Sequence, residues 1–314
     1  MRFVHYWPAP PSNYYQAQLV QDFADKVTKR TDGYITIQVY PAGQLAKGNE
    51  IAGVVAGKQH AFGGTSLSYI AANVPSSGFF NLGELIPTKE ENQKKVWYGM
   101  IGDMIQEELK AKYGLKILGF NSFGQSTMYG KDKPIRNPDD IKGLNLRVSN
   151  AFLSAVVKAI GANPVSMSSS NIYMSMQQGL IDGFQTGFTG GASRKLYEVA
   201  NYVTSPGFTS TVAIYVMHED VFNDVLTPEQ QEIVLATAKE TFEDNFVSSI
   251  RDAEGAAIEI MKNSGINIYN KTKEDTAAWS KVWNEIGYPI WEASLSTDKR
   301  DKIYAELARL RALD

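Results

Sequence analysis

Residues 228–264 carry one helical pattern held between two clear signals. Thr227 followed by Gln230 reads as a capping box, with Pro228 at the first helical position, where its missing N–H is no loss. Gly265 supplies the residue that ends a helix in a left-handed turn. A helix of this length without heptads is unusual in a globular protein. It fits a chain in which one helix passes along two domains, and 314 residues are what two domains of usual size require.

The rest of the chain alternates strand and helix, the pattern of an α/β protein. A strand is expected over 34–40 (YITIQVY), with Ile35, Ile37 and Val39 on one face, after an amphipathic helix over 13–30 through Leu19, Val20, Phe23 and Val27. Further short strands are read at 115–120 (LKILGF), 144–148 (LNLRV) and 211–217 (TVAIYVM). Thr88 with Glu91 reads as a second capping box, and Asn137-Pro138 as a third helix start.

Composition narrows function by exclusion. The 31 basic and 34 acidic residues are mixed along the chain at a net charge of −3, so no basic stripe is offered to nucleic acid. With no cysteine there is no disulfide, thiolate nucleophile or zinc–cysteine site. His5, His60 and His218 lie far apart, and no metal, cofactor or catalytic motif appears. Phe62–Ser66 is glycine-rich but lacks the lysine of a phosphate loop. No run of about 18 apolar residues occurs. The opening MRFVHYWPAPP has no signal-peptide core, which fits a cytosolic protein or a processed exported one with an added Met1.

Residues 139–183 read DDIKGLNLRVSNAFLSAVVKAIGANPVSMSSSNIYMSMQQGLIDG. This resembles the signature of TRAP transporter solute-binding proteins of the DctP type: a D-[IL]-K-G-[LM] turn, a strand ending in Arg-Val, then G-A-x-P-V and Y-x-x-[LM]-Q-x-G-x-[IV]-D-G. The segment 34–64, with P-x-G-Q-L, and VFNDVLTPEQQEIV at 221–234 extend the similarity over nearly the whole chain. The resemblance implies a two-domain, periplasmic binding protein-like α/β fold with crossing strands, a domain-spanning helix and a hinge. The expected division is 1–122 plus 209–250 against 123–208 plus 251–314. It also implies a periplasmic, monomeric protein that captures a small organic solute in the cleft and delivers it to the small and large TRAP membrane permease subunits. The same clamp could instead serve a membrane receptor.

On that resemblance Arg147 takes the position of the ligand-binding arginine. A guanidinium presents paired donors that match a carboxylate or sulfonate; taken alone, the residue reads as a surface arginine at a strand end. The family's second arginine is replaced here by Thr127, its asparagine by Thr186 and an aromatic by Ser169. One guanidinium and several hydroxyls, Ser66 among them, would then face the cleft. Gln125, Ser149 and Asn150 flank Arg147 as hydrogen-bonding candidates. His5, Tyr6 and Trp7 follow the first strand, where Tyr6 and Trp7 offer flat walls to a solute; Trp7 reads equally as core packing. Phe208 and Tyr215 are further aromatic candidates. Glu84 replaces an apolar family residue: it is either a cleft carboxylate for an ammonium group, which would admit a zwitterion or amino-bearing solute, or a solvated residue before a helix.

Overall fold

A computed structural model describes residues 1–9, 14–82 and 85–314. The first part of the chain forms β1 (Arg2–His5), α1 (Tyr15–Arg30), β2 (Gln38–Tyr40), α2 (Ile51–Ala56), β3 (Phe62–Ser66), α3 (Glu90–Trp97) and α4 (Met100–Tyr113). The middle forms β4 (Leu115–Gly130), β5 (Asn145–Val148), α5 (Ala151–Ile160), β6 (Asn163–Ser166), α6 (Ile172–Gln177), β7 (Gly183–Gly187), α7 (Phe188–Ser193), β8 (Tyr202–Ser205) and β9 (Thr209–His218). Then come α8 (Pro228–Ala238), α9 (Phe246–Ser264), β10 (Asn267–Asn270), α10 (Lys273–Val282), α11 (Tyr288–Glu292) and α12 (Thr297–Arg311).

The strands make two parallel sets joined by antiparallel crossing strands. In the first lobe β1 lies between β2 and β3, all parallel. In the second, β5 lies between β6 and β7, again all parallel. Residues 115–122 of β4 pair with β9, and residues 126–130 pair with β7, so this one strand belongs to both lobes. The strand expected to stop at 120 runs on because β7 and β8 offer its backbone partners on either side. The change of lobe falls at a bulge between Ser122 and Gln125, where Gly124 takes φ +77°, a conformation open to glycine at little cost.

Helix α1 buries Leu19, Val20, Phe23 and Val27, as its periodicity predicts. The Phe23 ring lies 6.2 Å from Phe3 and 5.9 Å from Phe62. Each such buried side chain contributes roughly 1.5–3 kcal/mol. A second core forms around Tyr129 and Phe184, whose rings stack at 4.6 Å. The C-terminal helices visit both lobes. Trp279 of α10 donates to the Arg136 carbonyl at 2.9 Å, whereas Trp291 of α11 donates to that of Pro75 at 3.0 Å and Lys299 of α12 pairs with Glu108 at 2.6 Å. Residues 288–311, expected with the second domain, therefore lie against the first.

Several local expectations meet corrections. The Thr227–Gln230 capping box, Pro228 and the left-handed Gly265 are as read. The helix over 228–264 is divided, however, by a wider turn over residues 239–243 and by Asp244–Asn245. Asn245 Nδ2 donates to the carbonyls of Glu240 and Thr241 at that turn. Only Gln38–Tyr40 of the strand expected at 34–40 forms, because the Ile35 N–H is taken by the Thr31 hydroxyl. The Thr88–Glu91 box does not form: α3 starts at Glu90, and the carboxylate of Asp314 accepts from the Thr88 and Lys89 N–H groups and from Asn92. Asn13 lies outside the described residues.

Candidate functional site

In open α/β sheets, residues just beyond the carboxyl ends of parallel strands line the crevice. Here those ends come from both lobes. Tyr6 follows β1, and Ser66, Ser68 and Tyr69 end or follow β3. Ser149 follows β5, Ser169 comes after β6, and Gln185 and Thr186 close β7. With Arg147 and Ser126 they line a cavity of about 30 Å³. Its polar groups are hydroxyls, an amide and one guanidinium.

Arg147 is 2% exposed. Its Nε and Nη2 both donate to the Met167 carbonyl, at 3.1 and 2.7 Å, and Nη1 donates to that of Gln185. Its remaining bond, from Nη2 to Tyr69 Oη at 3.4 Å, crosses to the first lobe. Among the described residues these partners are all neutral oxygens. Burial accordingly pulls the guanidinium pKa down, against the opposing effect of the tyrosines Tyr69 and Tyr6. A buried cation without an anion is the group such a site leaves for a ligand to neutralise. Tyr69 shows the complement: burial acts to raise its phenol, but the Arg147 charge and the hydrogen bonds from Ser169 and Ser168 outweigh it and lower the pKa.

Further polar contacts bridge the lobes. Asn150 Nδ2 donates to Asn81 Oδ1 at 3.3 Å, and Arg194 Nη2 donates to the Tyr6 carbonyl at 3.3 Å. Arg194 also lies 5.6 Å from each of the Tyr6 and Tyr14 ring centroids.

Of the residues singled out in the sequence, Tyr6, Ser66, Arg147, Ser149, Ser169 and Thr186 come together at the cavity. Six others lie elsewhere. Trp7 is fully buried in the first-lobe core, 5.6 Å from the ring of Tyr215, and packs so closely on Gly64 that a Cβ there would lie 2.6 Å from its ring. Tyr215 is stacked on Phe242 at 3.8 Å. His5 is buried beside Trp7, and desolvation lowers its pKa to about 3. Phe208 packs edge-on to Trp279 at 4.7 Å. Asn150 caps α5 by accepting from Leu153 N at 2.8 Å. Gln125 accepts from Gly207 N at 2.8 Å and faces a separate pocket of about 290 Å³. Thr127, where the second arginine would stand, turns its hydroxyl to the Thr204 carbonyl in the adjoining strand. Glu84 lies outside the described residues.

Tyr69, Ser68, Ser126 and Gln185 were not anticipated. Gln185 adjoins Thr186 in DGFQTG, and Tyr69 lies three residues beyond Ser66, so proximity in sequence was the available signal.

A family model described as bacterial extracellular solute-binding protein, family 7, matches residues 3–293. The chain belongs to this family. It is 29% identical over 262 residues to the C4-dicarboxylate-binding protein DctB of Bacillus subtilis, covering 82% of this chain and 73% of that one. A TRAP periplasmic solute binding protein of Sulfurospirillum deleyianum with bound succinate is 25% identical, with a TM-score of 0.85 over 97% of this chain and 98% of that chain. The sugar acid binding protein DctPAm of Advenella mimigardefordensis, in complex with galactonate, superposes with a TM-score of 0.90 at 21% identity, covering 99% and 98%. The two-domain periplasmic binding fold and the assignment to TRAP solute-binding proteins thus hold for this chain. Among the described residues no helix is long and apolar enough to cross a membrane.

Proposed function

We propose that this family member captures a small hydroxylated organic acid between its lobes and does no chemistry on it. The observation that carries the reading is the buried Arg147 guanidinium, held among the described residues by neutral oxygens. The solute carboxylate pairs with Arg147, and its hydroxyls exchange hydrogen bonds with Ser66, Ser149, Ser169, Thr186 and the Gln185 amide. With one cation at the cavity and Arg194 behind Tyr6, a polyhydroxylated monocarboxylate fits the lining better than a plain dicarboxylate. Relatives that bind C4-dicarboxylates, succinate and galactonate support the acid class.

A cavity of about 30 Å³ has room for one or two waters. Entry of a solute therefore requires the lobes to part, with β4 bending at Gly124 as the hinge. Contacts to both lobes made only in the closed state shift the population toward closure. The closed, monomeric form then delivers the solute in the periplasm to the TRAP permease subunits.

The test is a thermal-shift and calorimetric screen of sugar acids, dicarboxylates, sulfonates and neutral sugars, on the native protein and on Arg147→Ala. Acids should raise the melting temperature of the native protein. Binding to Arg147→Ala should weaken by about 2–5 kcal/mol. Equal affinity in both proteins refutes the assignment of Arg147.

A further inference from the structure

We infer that Tyr69 is an internal stand-in for the solute carboxylate, so that the site selects solutes by their power to displace a phenol oxygen from Arg147. The inference rests on the reading of Arg147 as the acid-binding residue and names a second determinant of specificity beside it.

The phenol is built into place. Tyr69 closes the short turn Leu67–Tyr69, which the Ser66 hydroxyl caps by accepting from Ser68 N. Its ring fills a slot over Gly48, where a Cβ would lie 2.6 Å from Tyr69 Cε2 and 3.0 Å from Tyr6 Cγ. Thr65 Oγ1 donates to the Gly48 carbonyl at 2.6 Å and holds that backbone in position. Tyr6 closes the slot edge-on at 5.6 Å. The ring belongs wholly to the first lobe, but its Oη reaches the second.

There the oxygen accepts from Ser169 N at 2.9 Å and from Arg147 Nη2 at 3.4 Å. A cationic donor and a backbone N–H converging on one oxygen are what a carboxylate oxygen requires. The space beside it holds about 30 Å³, too little for an organic acid while the phenol stays. A solute carboxylate that pairs with Arg147 Nη2 in the closed state takes this oxygen's place. An ionised carboxylate is a stronger acceptor from guanidinium than a phenol and wins the exchange. A neutral sugar hydroxyl is no stronger than the phenol it would replace. The exchange therefore favours acids over neutral polyols, and in the unliganded protein the phenol ties the two lobes together.

Tyr69→Phe keeps the ring in its slot and removes the oxygen. D-galactonate binding, followed by calorimetry, should tighten on the order of tenfold, the worth of the competing hydrogen bonds; unchanged or weaker binding overturns the inference, since a direct solute contact would be lost instead. A second readout needs no solute. The chain has no cysteine, so Gln59→Cys in the first lobe and Lys142→Cys in the second, both exposed, accept spin labels selectively. Without solute, Tyr69→Phe should change the label-distance distribution, and identical distributions in the two proteins refute the tie. If the native protein binds neither D-galactonate nor succinate, or Arg147→Ala binds them undiminished, the acid-binding reading fails while the label distances still decide whether Tyr69 ties the lobes.

Discussion

The Glu254 carboxylate of α9 accepts the Gln125 backbone N–H at 3.1 Å, at the bulge where β4 passes from one lobe to the other. The Gln125 side chain in turn accepts from Gly207 N at 2.8 Å. One strand residue thus ties the interlobe helix to the loop between β8 and β9.

Burial pushes the Glu254 carboxyl up to about 6, against the opposing pull of the Gln125 N–H. Between its ordinary 4.5 and about 6 the folded state holds more of this proton than the unfolded state, so stability falls as pH rises through that window. Glu254→Gln keeps an acceptor and removes the titration. At pH 7 the variant should gain about 2 kcal/mol relative to the native protein, with no difference below pH 4.5. Urea denaturation across pH 4.5–7 checks this, and parallel curves for the two proteins would refute it.

Gly124 meets two constraints at once. Its φ of +77° disfavours a side chain, and a Cβ there would lie 2.5 Å from Glu254 Oε2. Gly124→Ala should therefore lose more stability in the native background than in Glu254→Ala, where only the conformational cost of about 1–2 kcal/mol remains. A double-mutant cycle measures the coupling; strictly additive effects would show that the contact carries no strain.

His5 should not titrate in the physiological range. Its burial lowers the pKa from 6.5 to about 3, so the imidazole stays neutral in the folded protein. Because the unfolded state then takes up the proton first, this residue lowers stability as pH falls below 6.5. NMR should show constant His5 ring shifts between pH 8 and pH 5; a midpoint near 6.5 would contradict its burial.

Much was legible in the sequence. The capping box at Thr227, the apolar face of α1 and the position of Arg147 at a strand end follow from local patterns, because periodicity and caps act within a few residues. Chemical type was readable through the family resemblance, which implied that the guanidinium at 147 and the hydroxyls at 149, 169 and 186 share a cleft. What faces the cavity was a different matter. Trp7 and Tyr6 are neighbours in one aromatic run, yet Trp7 goes to the core against Gly64 and Tyr6 to the cavity, a choice made by packing partners far along the chain. Asp314 supplied the acceptor at the start of α3 that Thr88 was expected to provide. Tyr69 reaches Arg147 only because Gly48 leaves room for its ring and the second lobe brings Ser169 N to its oxygen. The sequence by itself determined where most helices and strands begin and which side-chain types are on offer, since those depend on near neighbours; tertiary structure decided how far strands such as β4 run and which side chains meet, since that depends on how the strand ends of two lobes are brought face to face.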